Sequence, residues 1–276
     1  MQLLEQVRSD CRSIADSARY VSIDLDVWRE PPEVSAGEAV SGGAAEVLQL
    51  DAINFGSGWF PTLRKRAALS GYRTIAAAFA EHGPWTNEQL RRLDATTVAA
   101  ALGQQAGHPL IRLYAEALRD LGRFLGDRSA QDLIAAAEGS AERLATLLAR
   151  GMRFFDDRGF YKRAQIVPSD LALAGLAEFD DLDRLTIFAD NLVPHVLRVD
   201  GVLRYDRELA ARIDAGELLP QGQAEREIRA CALHACEQIA ERSGVPARLL
   251  DVRLWNRGQA PEYKRVPRHR TRSVYY

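Results

Sequence analysis

The stretch TIFADNLVPH at residues 186–195 sets a carboxylate among apolar neighbours. Thr186, Ile187, Phe188 and Ala189 head into a core, Asp190 and Asn191 interrupt, and Leu192, Val193 and Pro194 resume the apolar run. Burying an ionised carboxylate costs several kcal/mol unless something pairs with it or binds it. Asp190 therefore caps a helix, takes an internal arginine, or meets a ligand. Four other clusters mix polar and aromatic residues in the same way. LDAINFGSGWFP (50–61) places Asp51 and Asn54 beside Phe55, Trp59 and Phe60, with Gly56 and Gly58 permitting close backbone approach. FYKRAQIVP (160–168) puts Lys162 and Arg163 directly after Phe160 and Tyr161, either an anion site or a solvated basic turn. LLDVRLWNRG (249–258) sets Asp251 four residues before Trp255, on one face if the segment is helical. RHRTRSVYY (268–276) supplies His269, Arg270 and Arg272, sufficient for a phosphate or for the carboxylates of Glu225 and Glu227. Together these clusters describe a pocket with aromatic walls, two or three carboxylates to accept from N–H donors, and cations for a phosphate: the chemistry of a nucleotide site.

Other chemistries lack their signatures. No Gly-rich phosphate loop, HExxH or CxxC occurs, which disfavours nucleotide cofactors and zinc, and no nucleophile elbow supports a Ser-His-Asp triad. The five histidines are scattered, and His234 reads as a packed helix residue. With 47% apolar residues and a net charge of −2, the chain reads as a folded soluble protein without the basic excess of a general nucleic-acid binder. Three cysteines outside any metal-site spacing, with no secretion signal, read as reduced core residues of a cytoplasmic protein. No apolar run approaches bilayer-spanning length.

The elements that position these groups read as mainly α, with one or two short strands, in a single domain over residues 1–276. Helical periodicity covers about residues 2–18, and YVSIDLDVW alternates as a short strand or an extended arm. The Pro/Gly/Ser-rich run 30–47 reads as a loop. Long helical patterns follow over 64–82, over 86–103 opened by Thr86, over 109–126 opened by Pro109, and over 129–152 opened by Ser129 with Asp132 in its first turn. A late helix over 223–242 presents Ile228, Cys231, Ala232, Ala235 and Ile239 on one face. The basic carboxyl-terminal tail ends on Tyr275 and Tyr276, whose rings are worth burying, so it is expected to dock on the body.

In order along the chain, LDAINFGSGWF, FYKRAQIV, FADNLVPHVLRVDGVLRY, EREIRACALHACE, LLDVRLWNRG and HRTRSVYY resemble the queuosine salvage proteins, the queuosine 5′-phosphate N-glycosylase/hydrolases. The resemblance covers most of 47–66 and 158–276, while 86–150 matches only as helices. Two departures stand out: Asn191 and Leu192 follow Asp190 where many relatives carry Tyr-Arg, and Gly-Ser-Gly lengthens the segment before Trp59.

The resemblance implies a helical fold related to DNA glycosylases and hydrolysis of queuosine 5′-monophosphate to release queuine for tRNA. It also implies no metal and no redox cofactor. The expected partner is a small nucleotide, with no membrane and no stable nucleic acid, and a monomer is expected. Asp190, Asp251 and Asp51 are then the candidates for the sugar-facing or base-reading carboxylates, with their roles open. Phe188, Trp59, Phe55, Asn54 and Trp255 are candidates for the base, and Lys162, Tyr161, His269 and Arg270 for the 5′-phosphate end. The alternative is a non-catalytic protein that binds a modified nucleobase or nucleotide, which needs the same pocket but no carboxylate at the sugar.

Overall fold

Where residues 64–70 continue a helical pattern in the sequence, the chain turns instead: Ala68 takes a left-handed φ of 62°, and the helix begins only at Gly71, capped by the Ser70 side chain on the amide of Arg73. The computed structural model describes residues 2–31 and 42–276, so most of the Pro/Gly/Ser-rich run lies outside the described residues. In chain order the amino-terminal elements are α1 (Leu3–Asp16), β1 (Val21–Ile23), α2 (Ala44–Ala52), α3 (Gly71–His82), α4 (Asn87–Arg92) and α5 (Ala95–Ala101). The middle holds α6 (Pro109–Leu125), α7 (Ala130–Ala136), α8 (Ala141–Gly151), α9 (Lys162–Leu173) and α10 (Val193–Val199). Then come β2 (Leu203–Tyr205), α11 (Arg207–Asp214), α12 (Gln223–Ser243), α13 (Ala247–Arg257) and α14 (Pro261–Arg265). The protein is mainly α, with one two-stranded antiparallel ladder among the described residues.

Two long patterns are each broken once. Asp94 accepts from the amide and hydroxyl of Thr97, so the 86–103 pattern divides into α4 and α5, the first opened by the expected Thr86 capping box. Glu138 and Gly139 take left-handed φ values of 50° and 74° and divide 129–152 into α7, with its Ser129–Asp132 capping box, and α8. The expected loop at 30–47 is shortened at its far end, because Ala44 already opens α2.

Contacts divide the chain into two compact units. The described residues of the first are 2–31, 158–162 and 181–272; those of the second are 42–157, 163–180 and 273–276. In the first unit α12 is the axis, packed by α1, α10, α13 and β1. Its predicted face is buried, with Ile228, Cys231, Ala232 and Ala235 at 0% exposure. The three cysteines are buried and free, as read. In the second unit α6 takes the same role against α2, α4 and α5, and Tyr114 on it donates its hydroxyl to the Phe55 carbonyl (2.9 Å). The tail docks as expected: Tyr276 is 2% exposed and its carbonyl accepts from Gly56 N–H at 2.8 Å.

Gly56 is required where it stands. Its φ is 98°, and a Cβ there would lie 2.3 Å from Cδ1 of fully buried Leu110. Gly56→Ala should cost about 1–3 kcal/mol, read as a lower urea midpoint at unchanged slope. An unmoved midpoint would contradict this account of the turn.

Candidate active site

In the first unit the segment around Asp190 is held by its backbone. Phe188 N–H donates to Asp251 Oδ1 at 2.8 Å, and the Ala189 carbonyl accepts from Arg229 Nε at 2.9 Å. Asp251 sits on α13 at 7% exposure, and Arg229 on α12 at 3%. Asp190 Oδ1 accepts from the amides of Leu192 (2.6 Å) and Val193 (3.3 Å), an Asx turn that leads into α10, whose N-cap is Leu192. Asp190 is thus not the helix cap that the sequence raised as its first possibility; the turn ahead of α10 occupies one of its oxygens. The other, Oδ2, receives no hydrogen bond among the described residues, and the residue is half-buried. Asn191 packs inward and donates to the His269 carbonyl (3.3 Å).

Arg229 also reaches the aromatic–lysine segment. Its guanidinium lies 3.9 Å from the centroid of the Phe160 ring, and its charge faces Glu225 Oε1 at 3.6 Å. Two residues after Phe160 comes Lys162, at 5% exposure the first residue of α9. Between them Tyr161 takes a left-handed φ of 50°, a conformation that a bulky residue adopts only where its surroundings impose it. The solvated-turn reading of Lys162 and Arg163 is thus overturned, since both are buried. Tyr161 and Trp255 pack against the hydrophobic cluster that contains Phe160, Ile187, Ala189 and Leu192.

The basic tail divides its roles. His269 is 1% exposed, and burial, reinforced by the positive charges of Arg229, Arg268 and Arg198, pushes its pKa down to about 3. It is a neutral ring at physiological pH, so it can offer a phosphate a hydrogen bond but no charge. Arg270 donates to the Gly216 carbonyl (2.5 Å). Solvent-facing Arg268 is the tail cation within electrostatic reach of Asp190. The tail does not serve the carboxylates of α12: Glu225 faces Arg229, and Glu227 accepts from the amides of Arg19 and Tyr20. His195 is also buried neutral, donating from Nε2 to the Tyr263 carbonyl, with its pKa lowered first by burial.

The remaining candidates lie in the second unit. Asp51 is fully buried on α2, where its charge acts on Tyr72 and Arg163. Phe55, a base candidate, is 1% exposed, its ring enclosed by Tyr114 (5.0 Å, edge-on), Phe154 (5.9 Å) and the Arg163 guanidinium (4.6 Å). That ring belongs to the core and has no face left for a base. Trp59 is 8% exposed, and Asn54 is partly buried at the end of α2. Arg163 takes no anion: it donates to the carbonyls of Ala52 (2.6 Å), Phe154 and Val274 (2.7 Å).

Structure thus groups Phe188, Asp190, Asp251, Tyr161, Lys162, Trp255, His269 and Arg270 in one unit, and Asp51, Asn54, Phe55 and Trp59 in the other. Sequence reasoning missed Arg229 and Arg268. The signal for Arg229 was present as a Glu225–Arg229 pair at i,i+4 embedded in the apolar face of α12. A surface cavity of about 490 Å³ in the first unit, lined by β1 with Asp24, Asp26, Arg204, Gln238 and Arg242, includes no candidate residue. Among the described residues no group of three or more His, Cys, Asp or Glu is arranged to hold a metal, and no helix is long and apolar enough to cross a membrane.

Comparison with known proteins agrees in one direction. Residues 44–276 match the family described as queuosine salvage protein, a span that includes every candidate residue and the helices of 86–150. A protein of Sphaerobacter thermophilus named queuosine 5′-phosphate N-glycosylase/hydrolase is 35% identical, over 98% of this chain and 97% of that protein. Proteins of the same name from Mus musculus (26%, 98% of each chain) and Dictyostelium discoideum (31%, 68% of this chain and 65% of that protein) are also similar.

The buried neutral His269 carries a pH signature. Unfolded, the ring binds a proton below about pH 6.5; folded, it does so only near 3. In that window the unfolded state holds more protons, so stability falls as pH drops. Between about pH 7.5 and 5 the wild type should lose about 2 kcal/mol more than His269→Gln, measured by urea unfolding at both pH values. Equal losses would contradict a neutral buried ring.

Proposed function

The chain belongs to the queuosine salvage protein family, and from that membership and the geometry of the first unit we propose that it hydrolyses the N-glycosidic bond of queuosine 5′-monophosphate, releasing queuine. The observation that carries the site assignment is Asp190: the backbone of the two residues before it is held by buried charged groups, and one carboxylate oxygen is left without a protein hydrogen bond among the described residues.

In the reaction the bond from the ribose anomeric carbon to the base nitrogen breaks, the electron pair leaves with the base, and water supplies the hydroxyl at the anomeric carbon and the proton that neutralises the departed base. Charge develops on the sugar as an oxocarbenium ion, which a carboxylate stabilises as an ion or traps as a nucleophile. Queuine is a 7-deazaguanine, so protonation at N7 is unavailable and the departing base needs hydrogen-bond donors and acceptors at its other edges. Asp190 takes the sugar or the base edge, and Phe188 and Trp255 offer the ring surfaces. Lys162 is the cation for the 5′-phosphate, with Tyr161 next to it in the chain. Asp251 enters as the group that holds Phe188 in place, which supports a positioning role for it beside a catalytic one. We read residues 1–276 as one such N-glycosylase domain, acting as a cytoplasmic monomer on a small nucleotide without a metal or redox cofactor.

Purified protein incubated with queuosine 5′-monophosphate should release queuine detectable by mass spectrometry. Asp190→Asn should lower turnover at least about 100-fold while keeping its fold, because an asparagine oxygen still accepts from the amides of the same turn. A folded wild type that binds the nucleotide and releases nothing would favour the binding-protein reading. Lys162→Ala should harm turnover of the nucleotide far more than that of the bare nucleoside; equal losses would remove Lys162 from the phosphate.

A further inference from the structure

We infer that Arg229 is the positioning residue that sets the spacing between the Asp190 turn and the Lys162 segment, an inference that rests on the function proposed above. Its edge donates from Nε to the Ala189 carbonyl (2.9 Å), one residue before Asp190. Its face covers the Phe160 ring (3.9 Å), two residues before Lys162. Only a planar guanidinium makes both contacts at once, because an ammonium has neither a flat face to stack nor a fork in a fixed plane. Glu225 stands at 3.6 Å, long enough to balance the charge without redirecting the fork away from Ala189. The side chain is 3% exposed, so water does not replace these contacts.

The consequence follows from the shape of the substrate. In a nucleoside monophosphate the distance from the glycosidic bond to the 5′-phosphate is confined by the ribose. The carboxylate at the base–sugar end and the cation at the phosphate end must therefore be held at a matching distance, and errors of about 1 Å cost about 100-fold in rate. Arg229 is buried, touches neither end of the nucleotide in this reading, and fixes the backbone that carries both.

The test uses Arg229→Lys, which keeps the charge, and Arg229→Met, which keeps only the bulk. Turnover number on queuosine 5′-monophosphate should fall at least tenfold in Arg229→Lys at saturating substrate and equal folded concentration, and by a smaller factor on the unphosphorylated nucleoside, for which no spacing to a phosphate exists. Equal factors on both substrates, or a lower melting temperature with unchanged turnover number and KM, would reduce Arg229 to packing and overturn the inference. Hydrogen exchange gives a readout independent of activity. Peptides covering 186–197 should exchange faster in both variants while α1 and the rest of α12 stay protected, and unchanged exchange overturns the inference as well. Absence of queuine release by the wild type would instead strike the function reading, with the exchange result still deciding whether Arg229 holds the turn.

Discussion

A backbone carbonyl and a backbone amide, one residue apart, are held by two buried charges of opposite sign: Ala189 C=O by Arg229 and Phe188 N–H by Asp251. Hydrogen bonds to charged groups contribute about 1.5–3 kcal/mol each, against about 1 for neutral pairs. Removing either charged side chain leaves a buried backbone group without its hydrogen bond. The turn therefore has one well-defined conformation, and Asp190 inherits it. The Asx turn closed by Asp190 ahead of α10 adds a third constraint, since two amides converge on one of its oxygens.

Each unit contains one such guanidinium. Arg163 in the second unit gathers carbonyls from Ala52, Phe154 and Val274 and lies over the rings of Phe55 and Phe155. Burial lowers its pKa to about 10, with Asp157 and Asp51 opposing the shift, so it stays charged at neutral pH. In both places arginine joins segments far apart in sequence, because five donors in a plane satisfy several carbonyls while the faces remain free for aromatic rings. The adjacent pair Lys162–Arg163 is thus split by purpose: the arginine belongs to the frame, and the lysine opens α9 after a left-handed Tyr161.

Histidines and tail arginines behave likewise. His269 has the sequence context of a phosphate ligand, yet burial, reinforced by the charges of Arg229, Arg268 and Arg198, keeps it neutral. The positive charge near Asp190 comes from Arg268, the residue beside it. Burial first, and the neighbouring cations second, suppress protonation of the one member that can lose its proton, which leaves the permanent charges to the arginines.

How much of this was legible in the chain follows from the range of the interactions. Helix periodicity, the Thr86, Ser129 and Pro109 starts, the buried face of α12 and the docking of Tyr276 were readable, because each depends on neighbours within a turn or on the plain hydrophobicity of a ring. The same local reading ran helices through Asp94 and Glu138–Gly139, where a side-chain cap and a left-handed pair break them. The motif residues Asp190, Asp251 and Lys162 could be singled out as chemistry held in an apolar setting. What sequence left open was which charges are framework and which are available: Arg163 and Phe55 read as ligand groups and belong to the core, while Arg229 read as one more helix residue and holds the turn. Those distinctions rest on contacts between residues 40 to 111 positions apart. No local pattern encodes them, so only the tertiary structure decides them.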